Sequence, residues 1–137
     1  MTSLNFTLKN IHQAAQFVLK HAQSNILCFH GQMGAGKTTL IKAIIAQLTG
    51  DGAQANSPTF GLVNEYTNEN GETLAYHFDL YRIEDEAEAL DMGIEEYLYG
   101  DKTVFLEWPE KISGLLPDAS HYQIDIIDQN ERKIGLK

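Results

Sequence analysis

The sequence predicts a single-domain α/β protein, with a mainly parallel central sheet, flanking helices and an antiparallel hairpin portion. Three observations predict it. Ile26-Leu27-Cys28-Phe29-His30 reads as a short apolar strand, Gly31-Gln32-Met33-Gly34-Ala35-Gly36-Lys37-Thr38 as a glycine-rich loop, and Thr39 to Leu48 as a helix with Leu40, Ala43, Ile44 and Leu48 at helical spacing. Strand, glycine loop and helix in that order make the phosphate-binding unit of α/β folds. Further on, Thr103-Val104-Phe105-Leu106 is an unbroken apolar run, as expected for a parallel strand buried on both faces. The length of 137 residues suits one domain spanning 1–137.

The elements follow in order. Leu4 to Leu8 alternates and reads as a first strand, and Asn10 is placed to cap a helix from Ile11 to about Gln23. The apolar side of that helix is Ile11, Ala14, Ala15, Val18, Leu19 and Ala22. After the loop and its helix, Gly50-Asp51-Gly52 is a stop signal, and Ala53 to Thr59 is polar and irregular. Phe60 to Tyr66 and Leu74 to Asp79 read as a hairpin around Asn68-Glu69-Asn70-Gly71. Asp85 to Leu90 and Ile94 to Tyr99 are two short helical pieces around Met92-Gly93. Pro109 stops the strand that ends at Glu107, and His121 to Asp128 with Arg132 to Leu136 make a last strand pair joined at Gln129-Asn130. No repeat or linker divides the chain.

Composition narrows the function. The hydrophobic content of 43% indicates a globular protein, and no stretch approaches the length of a membrane span. Ten Lys and Arg against nineteen Asp and Glu give a net charge of −9, which repels nucleic acid and anionic membrane. Any role near RNA therefore needs a partner that holds the RNA. Cys28 is the single cysteine, so no internal disulfide forms, and inside a strand it is expected to be a buried, inert thiol. The start of the chain lacks a basic and apolar leader, and a cytoplasmic protein is expected.

The loop carries the chemistry. It fits G-x-x-x-x-G-K-[S/T] at every position, the signature of the P-loop NTPase fold. Its backbone N–H groups and the positive helix end would wrap a phosphate chain, with glycines permitting close approach. Lys37 would reach the β- and γ-phosphates, and the Thr38 hydroxyl would ligate Mg²⁺. Such a site needs an acid beyond the carboxyl end of a neighbouring strand. Asp79 and Glu107 each close an apolar strand; one would hold Mg²⁺ and the other orient the attacking water, with Glu107 favoured for the metal because its strand is the cleaner apolar run. Ser57 and Thr59 lie where switch-type NTPases place a hydroxyl that senses the γ-phosphate. Trp108 is expected to pack over the nucleotide, against a partner or in the core; His30 and His77 are expected to be packed strand residues.

Two absences sharpen the expectation. Arg82 and Arg132 are the only arginines, too few for the cluster with which small-molecule kinases neutralise a migrating phosphoryl group. Slow turnover, or a cation supplied by another protein, follows. The chain also lacks an Asn-Lys-x-Asp segment, which favours ATP over GTP.

Gly34-Ala35-Gly36-Lys37-Thr38-Thr39, Ser57-Pro58-Thr59-Phe60, His77-Phe78-Asp79-Leu80-Tyr81-Arg82, Met92-Gly93-Ile94 and Leu106-Glu107-Trp108-Pro109 occur in an order and at spacings that resemble the TsaE (YjeE) family, the small ATPases of bacterial tRNA threonylcarbamoyladenosine biosynthesis. The resemblance runs from about Gly31 to Pro117. Gln32-Met33 departs from the Asp-Leu frequent in that family, at side chains that point away from the phosphates. The resemblance implies a partner-activated ATPase that binds and hydrolyses Mg-ATP to reset a TsaB–TsaD transferase complex acting on adenosine 37 of tRNA, with tRNA met only through those partners. It implies Lys37, Asp79, Glu107 and Trp108 as residues needed for activity, Gly34 to Thr39 and Thr59 around the nucleotide, and Thr38 with Glu107 at Mg²⁺. A self-sufficient small-molecule kinase and a nucleotide-binding switch without essential hydrolysis are the competing expectations.

Overall fold

The computed structural model describes residues 2–50, 54–55 and 62–137, so that Ser57 and Thr59 lie outside the described residues. The strands are β1 (Ser3–Phe6), β2 (Ile26–His30), β3 (Gln54–Ala55), β4 (Val63–Thr67), β5 (Thr73–Asp79), β6 (Thr103–Glu107), β7 (Ser120–Ile126) and β8 (Arg132–Leu136). The helices are α1 (Ile11–His21), α2 (Lys37–Thr49), α3 (Glu86–Asp91) and α4 (Ile94–Leu98), with 3-10 segments at Leu8–Asn10 and Pro109–Leu115.

All eight strands form one sheet in the order β1-β8-β7-β2-β6-β5-β4-β3. The middle four, β7, β2, β6 and β5, run parallel to one another. Antiparallel pairs extend the sheet at both sides, β4 with β5 and β3 on one and β7 with β8 and β1 on the other. Parallel strands must be covered on both faces, and the side chains alternate accordingly. Leu27, Phe29, Phe105, Tyr122 and Ile124 pack with α1 and α2. Ile26, Cys28, Val104, Leu106 and Phe78 pack with α3, α4 and Ile112 of the second 3-10 segment. The Tyr122 hydroxyl, buried in the first layer, donates to the Val18 carbonyl at 2.8 Å and ties β7 to α1. Burial pushes the Cys28 thiol up to about 12, with the Glu110 charge adding to it, as befits an inert core cysteine.

Where the first strand and the cap of α1 differ from expectation, side-chain hydrogen bonds are the reason. The first strand stops at Phe6 rather than Leu8, because the Asn10 Oδ1 accepts from the Thr7 N–H at 2.6 Å and from its hydroxyl at 3.1 Å. That bond curls Leu8–Asn10 into a 3-10 turn and commits the Asn10 carboxamide, so it does not cap α1. The two-residue β3 was unexpected; it pairs Gln54 with Thr67 and Ala55 with Tyr66. The hairpin turn at Asn68 is as expected, with its Oδ1 accepting from the N–H groups of Asn70 and Glu72. In the last hairpin Asp128 Oδ1 plays the same part for Asn130 and Glu131, at 2.8 Å each.

Candidate active site

Parallel pairing brings the carboxyl ends of β2, β5 and β6 to one edge of the sheet. Phe29 and Asp79 both stand in register with Glu107, so the two candidate acids are lateral neighbours. Between the end of β2 and the start of α2 lies the glycine loop, closed by a bond from the Ala35 N–H to the Gln32 carbonyl. Gly34 and Gly36 take φ of 84° and 96°, in the left-handed region where a β-carbon is strained, and open space surrounds both. Gly36 is the residue that turns the chain into α2, leaving the first N–H groups of that helix directed at the loop's concave side.

Lys37, the first residue of α2, is buried at 5% exposure. Its ammonium donates to the Gly31 carbonyl and sits 3.6 Å from the centroid of the Trp108 ring. Burial lowers its pKa, and the charges of Glu107, Glu110 and Asp79 act in the opposite sense. The next residue, Thr38, donates its hydroxyl to Glu107 Oε2 at 2.7 Å, a contact between positions 69 apart in sequence. Glu107 is 3% exposed. Burial pushes its carboxyl up, but the hydrogen bonds from His77 and Thr38, with the His77 and Lys37 charges, outweigh that and hold it below the ordinary value. It is therefore a carboxylate.

Asp79 behaves differently. It is exposed, and its Oδ1 accepts from the Tyr81 N–H at 3.1 Å, so it shapes the turn that leaves β5. Trp108 holds φ at 60°, the one non-glycine with positive φ among the described residues, and Pro109 follows it. Left-handed backbone before a proline is costly, and such strain gathers where a side chain must be aimed. Here the indole is aimed between Lys37 and the Tyr81 ring, 5.1 Å away.

Two open clefts flank the loop. One of about 720 Å³ is lined by Lys37, Thr38, Asp79, Arg82, Glu107 and Trp108 among others. The other, of about 730 Å³, presents Phe6, Leu8, Ile11 and Arg132. Gly34, Gly36 and Thr39 border both, so the loop is the shared wall between a polar, charged space and a more apolar one. Each is of the size that encloses a small ligand.

The structure thus brings together Gly34 to Thr39, Asp79, Glu107 and Trp108, while Thr59 lies outside the described residues. Sequence reasoning missed three residues. His77 is packed, as expected, yet its Nε2 lies 2.6 Å from Glu107 Oε2. The period-two alternation of β5 carries the signal, since His77 shares a face with Asp79 two residues later. Tyr81 was missed because its role depends on the Trp108 ring. Arg132 was missed because β8 reaches the loop only in three dimensions; its Nε donates to the Ala35 carbonyl at 3.1 Å.

Known proteins resemble the chain in sequence and in fold. The family described as "Threonylcarbamoyl adenosine biosynthesis protein TsaE" matches residues 5–134. A relative from Haemophilus influenzae, named tRNA threonylcarbamoyladenosine biosynthesis protein TsaE, is 45% identical over 77% of this chain and 66% of its own length. Relatives of the same name from Rickettsia felis and Rickettsia typhi are 36% and 33% identical, over 80% and 100% of this chain and 63% and 94% of their own lengths. The chain thus spans just under two thirds of the first two relatives and nearly all of the third. The crystal structure of Bacillus subtilis YdiB superposes with a TM-score of 0.63 at 21% identity, covering 99% of this chain and 86% of that one, and shows the same fold. No helix among the described residues is long and apolar enough to cross a membrane.

Proposed function

The chain belongs to the TsaE family, and on that premise we propose that it is the ATPase subunit of tRNA threonylcarbamoyladenosine biosynthesis, weak alone and activated by a TsaB–TsaD-like complex. The observation that carries the ATPase part is the Thr38–Glu107 contact at the mouth of the glycine loop. A hydroxyl and a carboxylate, both hard oxygen donors, face one another beside a lysine, and that donor set suits Mg²⁺. Thr38 and Glu107 would hold the ion, directly or through its waters. The chemistry such an ion would supply there is neutralisation of charge on the β- and γ-phosphates.

The other residues act by position. Loop N–H groups from Gly34 to Thr39 would cradle the phosphates. Lys37 would leave the Gly31 carbonyl and the indole to reach the γ-phosphate, a short swing because Lys37 and Trp108 already border the cleft. Exposed Asp79 suits the task of orienting a water, since no hydrogen bond from a described residue reaches its second carboxylate oxygen, which would accept one from that water. Thr59 would supply the switch hydroxyl. The apolar cleft beside Phe6, Leu8 and Ile11, across the loop from the phosphates, suits a purine. The net charge of −9 supports docking on proteins and leaving tRNA to them. The cytoplasm, where tRNA is modified, is the proposed location.

The test is Mg-ATP hydrolysis by the chain alone and with TsaB–TsaD counterparts, with GTP alongside. The expected result is slow hydrolysis alone, strong stimulation by the partners, and preference for ATP. A rate indifferent to the partners would overturn the partner-activated reading and favour a kinase with its own acceptor. Support of the partner by Asp79→Ala and Glu107→Ala variants that bind ATP but do not hydrolyse it would leave a nucleotide switch.

A further inference from the structure

We propose that His77 is the positioning residue that sets Glu107 for the divalent cation, an inference that rests on the Mg-nucleotide reading above. Position 77 is 3% exposed, on the face of β5 that carries Ala75 toward α1 and α2, and stands in register with Phe105. An apolar side chain would fill that place without leaving a polar atom to satisfy. The imidazole is instead only half satisfied. Nε2 lies 2.6 Å from Glu107 Oε2, while Nδ1 is buried with no hydrogen-bond partner among the described residues. A buried polar atom without a partner is costly and needs a reason. The reason offered by the geometry is the bond to Glu107, the one the ring makes among the described residues.

The direction of that bond is fixed by chemistry. A glutamate carboxylate offers only acceptors, so Nε2, 2.6 Å from Oε2, carries the proton and donates. Oε2 then receives two donors, Thr38 Oγ1 from α2 and His77 Nε2 from β5. These anchor the carboxylate from both sides and fix its rotation. No hydrogen bond from a described residue reaches Oε1, which is left to face a cation or its water. The Thr38 oxygen keeps its lone pairs for the ion while its hydrogen stays on Oε2, and His77 is the second anchor, one that makes no demand on the ion. Outer-shell partners of metal-binding carboxylates act in this manner, and their removal commonly costs about 10- to 100-fold in metal affinity.

The experiment titrates Mg²⁺ into the full chain with a fluorescent, non-hydrolysable ATP analogue, for the wild type, His77→Phe and His77→Gln. His77→Phe keeps a ring and loses the donor; His77→Gln restores an N–H near the place of Nε2. His77→Phe should raise the half-saturating Mg²⁺ concentration about 10-fold or more, with analogue affinity in EDTA unchanged. His77→Gln should recover most of the difference. If the phenylalanine variant does not fold cooperatively, His77→Asn replaces it, because its amide is one carbon too short to reach Glu107 and should fail as His77→Phe does. Equal Mg²⁺ dependence in wild type and the donor-less variant would overturn the proposal. So would a His77→Gln variant as impaired as that one, which would make the ring's packing the cause. A wild-type chain with no Mg²⁺-dependent analogue binding would overturn the reading of the cleft itself, and the proposal with it.

Discussion

Replacing Gly31 by alanine should damage stability and nucleotide binding together, and the size of the effect follows from one contact. A β-carbon at Gly31 would stand 2.8 Å from the Ile124 carbonyl oxygen and 3.3 Å from the Ala35 β-carbon. The carbonyl belongs to β7, which is hydrogen-bonded to β2, so no rotamer change relieves the clash. Overpacking of this kind costs about 1–3 kcal/mol, offset by roughly 0.4–1 kcal/mol because alanine restricts the unfolded chain. The net, centred on about 1.3 kcal/mol, corresponds to a fall in Tm of roughly 4–5 °C for a domain of this size. The Gly31 carbonyl also holds Lys37, so a displaced loop entrance should weaken Mg-ATP binding by about tenfold, or about 1.4 kcal/mol. Gly34→Ala differs in kind. Nothing lies within 4 Å of its added carbon, so only backbone strain of about 1–2 kcal/mol is introduced, with β2 and β7 untouched. The assay is thermal unfolding by circular dichroism paired with calorimetric titration of Mg-ATP. A Gly31→Ala chain that melts within a degree of wild type and binds normally would refute the close packing of the loop entrance on β7.

Two further outcomes follow from the same geometry. Trp108 is the single tryptophan, and Lys37 sits over its ring; Mg-ATP should therefore change the intrinsic fluorescence as the ammonium leaves, and Lys37→Met should abolish that change. An emission spectrum that nucleotide leaves unaltered in the wild type would count against the swing of Lys37. His30 is held at about 4, below its usual 6.5, by burial first and then by the charges of Lys137 and His121, against the pull of Glu110. A folded-state value below the unfolded one gives stability that is complete above pH 6.5 and lost as the pH falls toward 4. The ring is half-buried, so screening limits the loss to about 1 kcal/mol. Urea midpoints should fall less between pH 7 and pH 4.5 in His30→Gln than in wild type, and parallel falls would dismiss the effect.

What the sequence made legible was what local rules or whole-strand burial dictate. β2 and β6 could be read because strands covered on both faces must be continuously apolar, and the loop because Gly34 and Gly36 sit where left-handed backbone is required. The acids could be read because strand ends were visible. Their inequality could be read only in part: the cleaner apolar run pointed to Glu107, but the burial that separates it from exposed Asp79 comes from α2 docking over one strand end and not the other. His77 carried no local mark beyond alternation, because its function is a bond to a residue 30 positions away. Asn10 misled for a related reason: its carboxamide can serve the turn behind it as well as the helix ahead, and nothing local decides between them.

The poverty in arginine, visible from the sequence, becomes a stronger argument once the two side chains are placed. Arg132 is spent on structure. It donates to the carbonyls of Ala35 at 3.1 Å, Asp128 at 2.7 Å and Glu131 at 3.1 Å, binding the glycine loop to the β7–β8 turn. Only Arg82 remains to line the polar cleft with Lys37. Two cations, one of them on an exposed turn, are few for the charge of a transferring phosphoryl group, and the balance would come from Mg²⁺ and the partner complex. The two arginines should then fail differently. Arg82→Ala should lower partner-stimulated turnover by about 100-fold with KM little changed, since its task lies in the transition state. Arg132→Ala should raise KM and lower Tm, because it frees the loop wall shared by both clefts. Steady-state kinetics with the partners present, beside melting curves without them, separates the two. Unchanged stimulated turnover in Arg82→Ala would mean that the stabilising cation comes entirely from another chain.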